Sequence, residues 1–164
     1  MADNTVDIDI GQVITEKLID LDVQAATKEG AIAELTDLLV ANGDVQDRQG
    51  FIDDVLLRET EGVTGLGQGI AIPHGKSKAV QNTTIAIGLS RHDIPWETLD
   101  DEPIRVIILF AVRDVDANTL HIKLLQKVAV MLSDDEFIAN LHKVQTKQEL
   151  ITLLREQQEG DDYS

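Results

Sequence analysis

The stretch GLGQGIAIPHGKSK, residues 65–78, combines three glycines, a proline, a histidine and two lysines, a set that suits three different chemistries. A phosphate-cradling loop is the first, since Gly75, Lys76 and Ser77 look like the end of G-x-x-x-x-G-K-S. The spacing fails: the first glycine would fall at Ile70, and Pro73 would remove one of the N–H groups such a loop presents. A G-x-G-x-x-G dinucleotide pattern fails in the same way, again at Ile70. Metal binding is the second, but His74, His92, His121 and His142 stand at no short spacing that puts two ligands on one helix face or in one turn. A site assembled from distant residues would need carboxylates that nothing in the sequence locates.

The third chemistry is a single reactive histidine. Pro73 fixes its own φ and biases Ile72 to extended backbone, while Gly75 permits an immediate turn, so His74 is expected to project, exposed, from a rigid strand end. The plainer alternative is an ordinary polar residue at a strand terminus. Charge separates the two: Arg58, at the end of a predicted helix, joins Lys76 and Lys78 in one locally basic stretch of an acidic chain. A phosphoryl group on imidazole needs such donors, and arginine offers a planar fork. His121 falls in the first turn of another predicted helix, where the dipole favours a neutral ring and anions; its plainer reading is a satisfied, partly buried helix residue. His92 and His142 read as solvated surface.

These side chains need a scaffold. Residues 18–23, LIDLDV, alternate as a half-buried strand would. Thr27 caps a helix with Ile32, Leu35, Leu38, Leu39 and Val40 at helical spacing until Gly43, and a second helix from Asp47 carries Phe51, Ile52, Val55 and Leu56 inward, ending around residues 58–61. Strands are expected at 70–73, 83–89 and 104–112, the last apolar enough for burial on both faces. The intervening RHDIPWETLDDEP reads as a loop anchored by Trp96. Asn118 or Thr119 is expected to cap a third helix with Ile122, Leu125, Ala129 and Leu132 inward. Ser133 with Glu136 and Thr146 with Glu149 form capping-box patterns for two more, and residues 160–164 read as a frayed acidic tail.

The order strand, two helices, three strands, three helices predicts an α/β fold: a mixed parallel/antiparallel sheet of about four to five strands flanked by helices on both faces. At 164 residues one domain spanning 1–164 is expected. The chain is 43% hydrophobic and only 3% aromatic, so its core is aliphatic. Without cysteine there is no disulfide, thiolate ligand or cysteine nucleophile, which fits a reducing compartment. No segment has the length of a bilayer span and the N-terminus lacks signal-peptide character, so a cytoplasmic address without membrane insertion is expected. A formal charge of -16 repels nucleic acid and anionic lipid and favours a basic protein partner.

Arg58-Glu59 followed by G-x-G-I-A-I-P-H-G at Gly67–Gly75 resembles the signature of the fructose/mannitol-type enzyme IIA domains (EIIA type 2) of the bacterial phosphoenolpyruvate-dependent sugar phosphotransferase system. WETLDDEPI at 96–104 and HIKLLQKV at 121–128 also look like that family, and the similarity runs from about Leu18 to Leu154. The resemblance implies a phosphocarrier that accepts a phosphoryl group from HPr and passes it to a cysteine of a IIB component, with a IIC permease served only indirectly and no cofactor or metal required. Position by position, His74 matches the histidine phosphorylated on Nε2, so an acceptor is expected at its Nδ1. Arg58 matches the arginine that pairs with the phosphoryl group, and His121 matches the second active-site histidine. Gly67, Gln68 and Lys76 fall in supporting positions, Gln68 standing where mannitol members carry an acidic residue. The motif also occurs in nitrogen-regulatory IIA proteins, which signal through partners, and the fold occurs in noncatalytic domains of some anion transporters. The sugar is not legible, because the permease selects it.

Overall fold

A computed structural model describes residues 10–116 and 119–162. Two long strands form the centre: β5 (Thr84–Ile94) and β6 (Ile104–Arg113), antiparallel and buried over most of their length as their unbroken apolar runs require. The short β1 (Ile19–Asp20) lies parallel to β5 on one side. On the other side of β6 lie β2 (Gly65–Gly67), β3 (Ile70–Ala71) and β4 (His74–Ser77). Both β3 and β4 run parallel to β6 in one register, Ile70 opposite Val106 and His74 opposite Phe110. They are one strand interrupted at Ile72 and Pro73, where proline has no N–H to donate. The sheet therefore has five positions, in the order β1-β5-β6-β3-β2 with β4 continuing β3, and mixed pairing as expected. β4 and β5 do not pair despite their short connection, because β6 lies between them.

Helices cover both faces. On one lie α2 (Lys28–Ala41) and α3 (Arg48–Glu61), packed on Ala71, Ala86, Ile107, Leu109 and Ala111. On the other lie α1 (Ile10–Val13), α4 (Leu120–Met131), α5 (Asp135–Leu141) and α6 (Lys147–Asp162), packed on Ile85, Ile87, Val106, Ile108 and Phe110. The caps of α2 and α3 are those the sequence predicts: Thr27 Oγ1 accepts from Gly30 N at 3.1 Å and Asp47 Oδ1 from Gly50 N at 3.0 Å. At the end of α2, Gly43 takes φ +80° while Asp44 N donates to Leu39 O and Gly43 N to Val40 O, a Schellman closure.

Several expectations need correction. Residues 18–23 hold a short 3-10 turn, Glu16–Leu18, and only two strand residues. β5 runs on to Ile94, into the segment read as loop; a register shift between Leu89 and Ile94 absorbs the polar residues, and Ser90 Oγ closes it by donating to His92 O and accepting from His92 N. The inward residues of α4 are His121, Leu124, Val128 and Met131, while Ile122 and Ala129 face out, so the buried stripe is rotated by one residue. Asn118 lies outside the described residues, and Thr119 occupies the N-cap of α4 without a side-chain cap bond. Asp134, not Ser133, caps α5, accepting from Glu136 N and Phe137 N. For α6 the predicted pattern holds, with Glu149 N donating to Thr146 Oγ1 at 3.0 Å, but the helix continues through Gly160 to Asp162. No helix among the described residues is long and apolar enough to cross a membrane.

Candidate active site

His74 opens β4 on the α4 face of the sheet, and its register partner Phe110 stacks on it, ring centroids 4.5 Å apart and planes within 3°. His121, from the first turn of α4, meets the His74 ring edge-on at 5.1 Å. The fold thus joins two histidines 47 positions apart in the chain over one phenylalanine. Contrary to the sequence reading, His74 is buried, only 6% exposed, and Gly75 does not turn the chain. Gly75 is the second residue of β4, pressed against α3: a Cβ there would run into the Phe51 ring and sit 2.7 Å from Val55 Cγ2. Glycine is needed at this position for close packing rather than for backbone freedom.

Burial holds the His74 pKa at about 4, below its ordinary value near 6.5, aided by the His121 ring and by the Arg58 and Lys76 charges, with the Ile72 backbone opposing. At neutral pH the ring is uncharged, with one nitrogen carrying a lone pair. Nδ1 is sealed from solvent without a hydrogen bond of ordinary geometry, so the acceptor expected there is not in place; only the Ile72 backbone favours a proton on the ring. Nε2 is not sealed in this way.

Arg58 lies in the last turn of α3, where Nη1 donates to Gly62 O at 3.4 Å; it has no carboxylate partner among the described residues. Its neighbour Glu59 is held firmly, with a side chain only 4% exposed that takes Lys28 Nζ at 3.3 Å and the Thr64 hydroxyl at 2.6 Å. Trp96 Nε1 in turn donates to Thr64 Oγ1, and Lys28 stands 5.7 Å over the indole. Burial works to lower the Lys28 pKa, but bonds to Glu97 and Glu59 prevail and raise it. This network ties the end of α3 to the β5–β6 connection and fixes where Arg58 begins. Phe110 and this network escaped the sequence reading; the Glu59 of the Arg58-Glu59 pair was the one signal available.

Gly67 and Gln68 occupy the tight β2–β3 turn, with φ +116° and +56° and Gly69 at +79°. Gln68 N donates to Asp100 Oδ2 at 3.0 Å, its carbonyl accepts from His142 Nε2 at 2.7 Å, and its amide leans toward Asp135 at 3.5 Å. None of these bonds reaches His74. His92 is likewise no free surface residue, since its Nε2 bonds Ala25 O at 2.8 Å. Among the described residues no group of three or more histidine or acidic side chains could hold a metal.

Comparison with known proteins decides the family. Residues 12–157 match the family described as phosphoenolpyruvate-dependent sugar phosphotransferase system, EIIA 2. The chain belongs to this family. It is accordingly a phosphotransferase component of the EIIA type. The fructose-specific EIIA component of Haloferax volcanii is 35% identical over 148 residues, 90% of this chain and 96% of that protein. The fructose-specific EIIABC component of Bacillus subtilis is 31% identical over 147 residues, 90% of this chain, which spans only 23% of that relative's length. Among solved structures, the nitrogen regulatory protein IIA-Ntr of Neisseria meningitidis superposes with a TM-score of 0.81 at 28% identity, covering 88% of this chain and 98% of its own. Mannitol IIA of Escherichia coli, solved in complex with phosphorylated mannitol IIB, gives 0.72 at 28% identity, covering 86% and 96%.

Proposed function

We propose that this EIIA protein carries a phosphoryl group on Nε2 of His74, taking it from phosphohistidine of HPr and passing it to a IIB cysteine in uptake of a fructose-like sugar. The observation that carries the reading is the state of His74: neutral, stacked on Phe110, sealed at Nδ1 and set near Arg58 and Lys76, neither of which forms an ion pair among the described residues. In the first step the Nε2 lone pair forms the new P–N bond as the donor's P–N bond breaks, its electron pair returning to the donor imidazole. In the second, the IIB thiolate forms a P–S bond and the His74 P–N bond breaks. Both transfers pass through a loose, in-line arrangement in which charge stabilisation dominates. Arg58 and Lys76 supply that stabilisation, and His121, 5.1 Å from His74, flanks the transferring group. The acidic surface steers a partner whose own site is basic.

Incubation with phosphoenolpyruvate, the first enzyme of the system and HPr is expected to place one acid-labile phosphate on this protein. His74→Ala is expected to abolish the label while keeping the wild-type circular dichroism spectrum. A folded His74→Ala protein that still takes up label sinks the assignment. The likeness to nitrogen regulatory protein IIA-Ntr supports a second reading, signalling by phosphorylation state. Failure to pass the label to any IIB component, with partners captured only in one phosphorylation state, favours it over transport.

A further inference from the structure

Away from His74, the sheet borders a cleft of about 620 Å³ formed by β5, the start of β6 and the turn between α5 and α6. Val106, in its floor, lies four residues before the His74 partner Phe110 along β6, about 13 Å at the usual strand rise. Arg91, Arg105 and His142 line it over Leu89 and Val144, and no carboxylate is among its lining residues although the chain has 30 acidic against 14 basic side chains. Its cations are underused. Arg105 engages Asp93 through Nε alone, at 2.8 Å, leaving its terminal nitrogens; the Arg91 side chain has no hydrogen bond or ion pair among the described residues.

The β2–β3 turn sets two of these lining residues in place. The Gly69 carbonyl accepts from Arg105 N and Val106 N, each at 2.9 Å. Next to it the Gln68 carbonyl takes His142 Nε2, and the His142 ring packs so closely that a Cβ on Gly69 would lie 2.8 Å from its Cε1. The turn thus takes the Nε2–H of His142; Nδ1 of the neutral ring is a lone-pair acceptor, so the donors to an anion here are Arg91 and Arg105, with the His142 ring as a wall. We propose that this cleft binds a small polyvalent oxyanion, a phosphate ester or a di- or tricarboxylate. Arginine forks match such groups bidentately, the cleft has the size of a small-molecule site, and no phenylalanine, tyrosine or tryptophan is among its lining residues. The site does not depend on the role given to His74.

The test is an NMR titration of the full ¹⁵N-labelled chain with sodium phosphate and, separately, sodium citrate, against sodium chloride at matched ionic strength and pH. Saturable shifts are expected at residues 89–91, 105–106 and 142–145, with the stronger of the two probes identifying the class. Arg91→Ala, which removes no hydrogen bond or ion pair among the described residues, is expected to weaken binding about tenfold or more, as loss of a charged hydrogen bond does. His74→Ala is expected to bind as the wild type does. Shifts that follow ionic strength and appear equally with chloride overturn the proposal, as do saturable shifts confined to Arg58, His74 and Lys76, or unchanged affinity in Arg91→Ala.

Discussion

The two ends of β6 treat positive charge in opposite ways. At Phe110 the fold seals an imidazole against an aromatic ring and keeps it neutral, so the nearby Arg58 and Lys76 charges act on a ring that has lost its water. At Arg105 the guanidinium groups stay solvated, in an open cleft with an aliphatic floor. In the proposed roles, desolvation would leave the His74 lone pair reactive, whereas arginines that only hold an anion would need little more than position. The sealed end therefore depends on core packing that the open end does not need.

Mutations that disturb the sealed end should have the larger effects. Phe110→Ala is expected to cost about 3–5 kcal/mol in denaturant unfolding, and to let the His74 pKa rise from about 4 toward 6.5 because burial is its main depressor. A His74 titration followed by NMR that stays near 4 in this variant would mean that another wall desolvates the ring. Acidification comes next. The folded protein binds a proton at His74 more weakly than the unfolded chain, so the contribution is complete above about pH 6.5, is lost as pH falls toward about 4 and is constant below. Its size is on the order of 3 kcal/mol, measured as the difference in pH slope between wild type and His74→Phe. Gly75→Ala is expected to cost about 1–3 kcal/mol by overpacking against Phe51 and Val55, read as a lower melting temperature. Smallest is Arg91→Ala at the open end, expected within about 0.5 kcal/mol of wild type in the same melts.

Elements whose limits are set by their own residues were legible in the sequence. Thr27 and Gly43 bound α2 because capping is a local hydrogen-bond problem. Elements finished by distant partners were not. The polar end of β5 stays extended through the Ser90 bonds and the resumed pairing of Ile94 with Ile104. The last turns of α6 extend beyond Gln158, whose side chain takes the Ile10 N–H at 2.7 Å. The buried stripe of α4 was misread because a histidine, His121, occupies an inward position that apolar counting skips. At the candidate site, His74 and Arg58 stood out by the P-H-G stretch and its charges, His121 was joined to them by the family resemblance, and the fold brings both histidines together with the Arg58 charge. The burial of His74 did not, since it depends on the strand register that sets Phe110 opposite it.

The Trp96 contact gives the protein an optical reporter of its own. The chain has one tryptophan, buried, with its Nε1 bonded to Thr64, which bonds the carboxylate of Glu59 beside Arg58. A displacement of the end of α3 that broke the Thr64 bonds would change the polarity around that indole, so its emission would report on the neighbourhood of Glu59 without a label. Stopped-flow fluorescence on the unmodified chain would therefore report any displacement there, independently of the transfer proposed at His74.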